Sequence, residues 1–210
     1  MRNKIEIPLG IYGITGENFA NGKTNIECVE AMIKGGIKII QYREKNKSMG
    51  KKLEEAKAIR EICRKNNVLF IVNDNIDIAL LVDADGVHVG QDDLPPNEVR
   101  KLIGDNKIIG LSTHSPEQGK KAFENPDVDY IGVGPIFPTT TKDTAPVGIE
   151  YLDYVVKNLD IPFVAIGGIK EHNIDKIIDH GAKRICLVSD IVGAPNIEEK
   201  VKFLRNKLEK

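Results

Sequence analysis

Neither sign of charge dominates this chain: 30 Lys and Arg stand against 31 Asp and Glu, a formal net charge of −1. A balanced chain has no global field to draw it to nucleic acid or an acidic membrane. Cysteine is scarce as well. Cys28, Cys63 and Cys186 lie far apart with no CxxC spacing, an odd set that argues for reduced, buried thiols and against zinc. No run reaches the roughly 18 apolar residues of a membrane span. The opening MRNKIEIPLGIYGIT has no apolar core ahead of a small-residue cleavage site. These absences set the expectation of a cytoplasmic protein that binds neither nucleic acid nor membrane. There is no Ser-, Pro- or Gly-rich linker, so residues 1–210 are expected to form a single domain.

What is present is an alternation. Short runs rich in Val and Ile (IKIIQYR, LFIVN, KIIGLS, PFVAIG) are separated by amphipathic segments. Continuous apolar runs of this kind suit parallel strands covered on both faces. Strands are expected at 8–15, 37–43, 69–73, 86–90, 108–112, 130–134, 163–167 and 184–188. Helices are expected at 25–34, 48–66, 76–82, 95–103, 116–123, 149–158, 173–180 and 196–208. In the second helix, Leu53, Ala56, Ile59 and Cys63 recur every three or four residues and make one apolar face. Eight βα units point to a closed (β/α)8 TIM barrel of the α/β class, with an open doubly wound sheet as the alternative.

A barrel of this kind carries its site at the C-terminal ends of the strands. The stretch 70–93, FIVNDNIDIALLVDADGVHVGQDD, places Asn73-Asp74 after one strand and Gln91-Asp92-Asp93 after the next. Carboxylates at two adjacent strand ends suit a hard cation such as Mg²⁺ carrying phosphate, although Asn and Asp also serve as turn and cap residues. After strand two, Gln41, Arg43 and Lys45 follow one another at a spacing of two. They would point two cations and an amide at the same space. GLSTHS follows strand five; it has no nearby Asp and no GxSxG elbow, so Ser112 reads better as a hydrogen-bonding group than as a nucleophile. His114 beside it reads either as an acid/base or as a loop residue. The longest strand-to-helix loop, 134–148, holds Thr139, Thr140, Thr141 and Lys142, a composition suited to phosphate. Gly167-Gly168 and Val188-Ser189 then follow strands seven and eight, where barrels often bind phosphate.

Taken together, QYREK, the Asn-Asp of IVND, HVGQDD, GLSTHS, GPIFPTTTK, AIGGI and LVS resemble the motifs of the thiamine phosphate synthase family over nearly the whole chain. That resemblance implies a transferase of thiamine biosynthesis with a (β/α)8 fold. Such an enzyme condenses hydroxymethylpyrimidine diphosphate with thiazole phosphate and releases pyrophosphate. Carried over residue by residue, it implies Mg²⁺ on Asp74 and Asp93. It places the pyrimidine diphosphate on Gln41, Tyr42, Arg43, Glu44, Lys45, Asn73, Ser112 and Lys142. It places the thiazole phosphate on Thr139, Thr140, Thr141, Gly168, Val188 and Ser189. Arg43, Lys45, Ser112 and Lys142 would carry catalysis.

One departure from the family pattern stands out. GAKRICLVSDI has Lys183, Arg184 and Asp190 where small residues are commoner, and Asp190 is expected to point away from the phosphate site. The rival readings are the related thiazole tautomerase, which would use His114 for proton transfer, a phosphosugar barrel enzyme, and a non-catalytic phosphate sensor. A homo-oligomer is compatible with the sequence.

Overall fold

The computed structural model describes residues 6–139 and 145–209. Nine strand segments run parallel to their neighbours in the order β1-β9-β8-β7-β6-β5-β4-β3-β2. The first two, β1 (Gly10–Ile11) and β2 (Gly13–Ile14), are halves of one strand interrupted at Tyr12. β1 pairs with β9 (Arg184–Cys186) and β2 with β3 (Ile39–Tyr42), so the sheet closes on itself. The remaining staves are β4 (Leu69–Asn73), β5 (Gly86–Val89), β6 (Ile108–Thr113), β7 (Tyr130–Val133) and β8 (Phe163–Ile166). The expected (β/α)8 barrel is the observed fold, with its first stave split.

Among the described residues nine α-helices surround it: α1 (Asn25–Lys34), α2 (Met49–Lys65), α3 (Ile76–Leu81), α4 (Pro96–Ile103), α5 (Pro116–Glu124), α6 (Gly148–Asn158), α7 (Ile174–Asp179), α8 (Val188–Val192) and α9 (Ile197–Leu208). Their ends follow local chemistry. Thr24 and Glu27 make a reciprocal capping box at the start of α1, and Pro116 opens α5 behind the Ser115 cap. None of these helices is long and apolar enough to cross a membrane.

Period-two alternation sorts each strand between two cores. In β4, Phe70 and Val72 join the apolar layer between barrel and helices, while Ile71 faces the barrel interior. In β5, Val87 and Val89 face outward and His88 lies between them, inside. The lower interior is filled by Ile7, Ile39, Ile71, Ile108 and Val164, which close the barrel beneath the strand-end cavity.

Two corrections to the sequence expectations concern strand eight. It ends at Cys186 and does not extend to residue 188. Val188 and Ser189 open α8, a short additional helix that apolar patterning over 184–192 does not distinguish from a strand.

Candidate active site

A cavity of about 640 Å³ opens at the C-terminal ends of the strands. Gln41, Arg43, Lys45, Asn73, Asp74, Asp93, Ser112, Thr139, Gly168, Val188 and Ser189 all line it. Residues read from seven separate loops thus converge on one space.

The first half of the rim is charged. The end of β3 delivers Gln41, Arg43 and Lys45 to the cavity because strand residues two apart share a face. Thr15 fixes the backbone there: its hydroxyl accepts from Arg43 N at 2.8 Å and donates to Arg43 O at 3.1 Å. The same alternation removes Tyr42 and Glu44 from the site. Tyr42 turns outward and donates its hydroxyl to Glu55 at 2.7 Å, while Glu44 accepts from Asn25 and from Asn46 N. Both were expected to bind substrate; neither lines the cavity.

Asp74 takes a left-handed backbone (φ 59°), which Asp tolerates better than most residues. Its carboxylate pairs with the Lys45 ammonium. Asp93 accepts from Gly90 N at 2.6 Å, which folds the 90–93 turn back over the end of β5. Asp92 lies at the same rim.

The second half is built from backbone. Gly167 and Gly168 have φ of 96° and 64°. A Cβ on Gly167 would sit 2.3 Å from Pro135 Cα, and one on Gly168 would sit 2.5 Å from Pro138 O. Loop 135–138 therefore packs directly on this glycine pair. Phe137 N donates to Gly167 O at 3.0 Å and completes the junction. Ser189 Oγ accepts from Lys170 Nζ at 2.7 Å, and Lys170 also lines the cavity. Asp190 points away, as expected: its carboxylate accepts from Glu171 N at 3.1 Å and faces Lys200 at 3.4 Å. Thr140, Thr141 and Lys142 lie outside the described residues.

Several lining residues were not picked out by the strand-end reading: Tyr12, His88, Tyr130 and Lys170. Tyr12, His88 and Tyr130 sit inside strand runs, where they read as ordinary β-formers. The usable signal was parity, since His88 alternates with two outward valines. Gln91 braces the rim by donating to Ser112 O at 2.7 Å. His114 donates Nδ1–H to Gly134 O at 2.5 Å, which ties the loops after β6 and β7 together.

Among the described residues, one group of three acidic side chains lies close enough to share a divalent ion: Glu17, Glu44 and Glu55. Lys47 already occupies it, with Nζ 2.5 Å from both Glu17 and Glu55. Despite burial, those contacts hold the Lys47 ammonium above and the Glu55 carboxyl below their ordinary pKa ranges. Lys47 bridges two of the three carboxylates, and none of the three lines the cavity.

A model of the family described as thiamine monophosphate synthase matches residues 11–191. The chain belongs to that family. Thiamine-phosphate synthase of Pelotomaculum thermopropionicum is 60% identical over 197 residues, covering 93% of this chain and 90% of the relative. The Lawsonia intracellularis protein of the same name is 54% identical over 197 residues, with the same coverages of 93% and 90%. Among solved structures, thiamine phosphate pyrophosphorylase from Pyrococcus furiosus superposes with a TM-score of 0.88 at 36% identity, covering 96% of both chains. Family membership makes the chain an enzyme of the transferase type.

Proposed function

We propose that the chain is a thiamine phosphate synthase, joining a hydroxymethylpyrimidine diphosphate to a thiazole phosphate and releasing pyrophosphate. One observation carries the reading: a single cavity has a charged half suited to a diphosphate and a backbone-lined half suited to a monophosphate. The reaction breaks the bond between the pyrimidine methylene carbon and the diphosphate oxygen, which leaves with the electron pair. The thiazole nitrogen lone pair forms the new bond to that carbon.

No covalent attachment to the protein is needed, so the residues act by placement and by charge. Arg43 and Lys45 would lie against the diphosphate and offset the negative charge that grows on it, together with Lys142. Gln41, Asn73 and Ser112 would hold the pyrimidine. Thr139, Thr140, Thr141, Gly168, Val188 and Ser189 would hold the thiazole phosphate, and we add Lys170 as its cation. The first N–H groups of α8 have no partner within the helix and favour an anion there.

Asp74 and Asp93 offer hard oxygen donors from two adjacent strand ends that line the cavity, a donor type that fits Mg²⁺. When bound, the ion would neutralise charge on the leaving diphosphate. The thiazole tautomerase alternative loses support because the relatives 60% and 54% identical to this chain are thiamine-phosphate synthases. The test is to incubate the protein with both substrates and Mg²⁺, then measure pyrophosphate and thiamine phosphate. Formation of both is expected; absence of both would remove the reading.

A further inference from the structure

Five side chains form a hydrogen-bonded relay across the barrel interior. Gln41 Nε2 donates to Tyr12 OH at 3.0 Å, and Tyr12 OH lies 2.7 Å from Tyr130 OH. Tyr130 OH lies 2.9 Å from His88 Nδ1, and His88 Nε2 lies 2.9 Å from Ser112 Oγ. Each of the four junctions needs one hydrogen, and each phenol owns one. Burial pushes both phenols up, so both keep their protons near neutrality.

The sense of the relay follows from its first member. An amide nitrogen only donates, so Tyr12 receives from Gln41 and gives its own hydrogen to Tyr130. Tyr130 then gives to His88 Nδ1, which must present a bare lone pair. The His88 ring is therefore the Nε2–H tautomer, donating to Ser112. Ser112 keeps its hydroxyl hydrogen for a ligand in the cavity. Reversing a junction would leave a buried phenol hydrogen without an acceptor or set two hydrogens against each other, and buried groups rarely go unpaired. Gly110 makes the packing possible: a Cβ there would sit 2.2 Å from Tyr130 Cζ and 2.5 Å from His88 Nδ1.

We propose that this relay fixes the hydrogen-bonding sense of the ring subsite, with an acceptor at Gln41 Oε1 and a donor at Ser112 O–H. A ring that satisfies both ends carries an N–H and a nitrogen lone pair, as an aminopyrimidine does. A thiazole offers the lone pair alone, so the two substrates cannot exchange places. Tyr12, Tyr130 and His88 are positioning residues that act through Gln41 and Ser112. The ligand class rests on the synthase reading; the sense of the relay rests on the geometry alone.

Nitrogen-15 spectra of the ligand-free protein, with the His88 signals assigned through His88→Gln, test the relay directly. The wild type is expected to show a protonated Nε2 and an unprotonated Nδ1. An Nδ1–H tautomer would overturn the proposal. Tyr130→Phe removes one junction; it is expected to mix the tautomers and raise KM for the pyrimidine diphosphate about tenfold, leaving KM for the thiazole phosphate unchanged. Unchanged tautomer and unchanged KM in a folded Tyr130→Phe would also overturn it. Absence of turnover in the wild type would strike the synthase reading instead, and the tautomer measurement would still decide the relay.

Discussion

Four aspartates sit beside strands, two before and two after, and the two pairs are built differently. Asp85 precedes β5 and Asp129 precedes β7. Asp85 Oδ2 accepts from Arg60 at 2.8 Å and from Phe70 N at 2.7 Å. Asp129 Oδ2 accepts from Arg100 at 2.7 Å and from Ile109 N at 2.9 Å. Each staples a neighbouring strand to a helix at the closed end of the barrel. Asp74 and Asp93 follow their strands and face the cavity, where, among the described contacts, Asp74 pairs with the half-exposed Lys45 and Asp93 holds its own turn. Position along the strand decides whether an aspartate stabilises the fold or stays available for a ligand.

Breaking a staple should give the largest effect. Asp129 and Arg100 are 9% and 8% exposed at their side chains, so Asp129→Ala removes the nearest counter-charge of a buried guanidinium, leaving Asp127 at 3.7 Å, and unpairs Ile109 N. A loss of about 3–5 kcal/mol is expected, read by urea unfolding, with kcat per folded molecule unchanged. A comparable loss of kcat in the folded fraction would erase the distinction between the two ends.

The open pair should behave in the opposite way. Asp74→Asn and Asp93→Asn are expected to lower turnover by about 100-fold and raise the Mg²⁺ concentration needed for half-maximal rate. Thermal unfolding should change little for Asp74→Asn. Unchanged Mg²⁺ dependence in both variants would count against the metal assignment.

The same contrast explains what the sequence made legible. Arg43, Lys45, Asp74 and Asp93 stood out because charges immediately after apolar strands have few structural reasons to be there. Asp85 and Asp129 did not, since a turn aspartate before a strand is ordinary. Tyr42 and Glu44 were carried in with QYREK although period two already sent them outward. Tyr12, His88 and Tyr130 were hidden because their chemistry depends on partners up to 118 residues away. The α8 boundary was missed because five apolar-rich residues have too short a period to separate helix from strand.

The backbone-built half of the cavity can be broken more gently. Gly168→Ala forces a Cβ against Pro138 O at φ 64°, so loop 135–138 must shift. A stability loss of about 1–2 kcal/mol is expected from strain at that φ. KM for the thiazole phosphate should rise while KM for the pyrimidine diphosphate holds. Equal changes in both would mean that the two halves do not bind separate substrates.

Lys170 gives the smallest and sharpest test of that division. It is the one cation placed at Ser189 Oγ among the described contacts, and Asp190 with Lys200 anchors the turn that carries it. Lys170→Met keeps the aliphatic stem and removes the charge. A surface-accessible cation facing a phosphate contributes about 1–1.5 kcal/mol, so KM for the thiazole phosphate should rise about tenfold with kcat nearly unchanged. The loss must vanish for the thiazole alcohol, which has no phosphate to meet the lysine. An equal loss on alcohol and phosphate would place Lys170 in the packing of the loop and leave the monophosphate to backbone and hydroxyl groups alone.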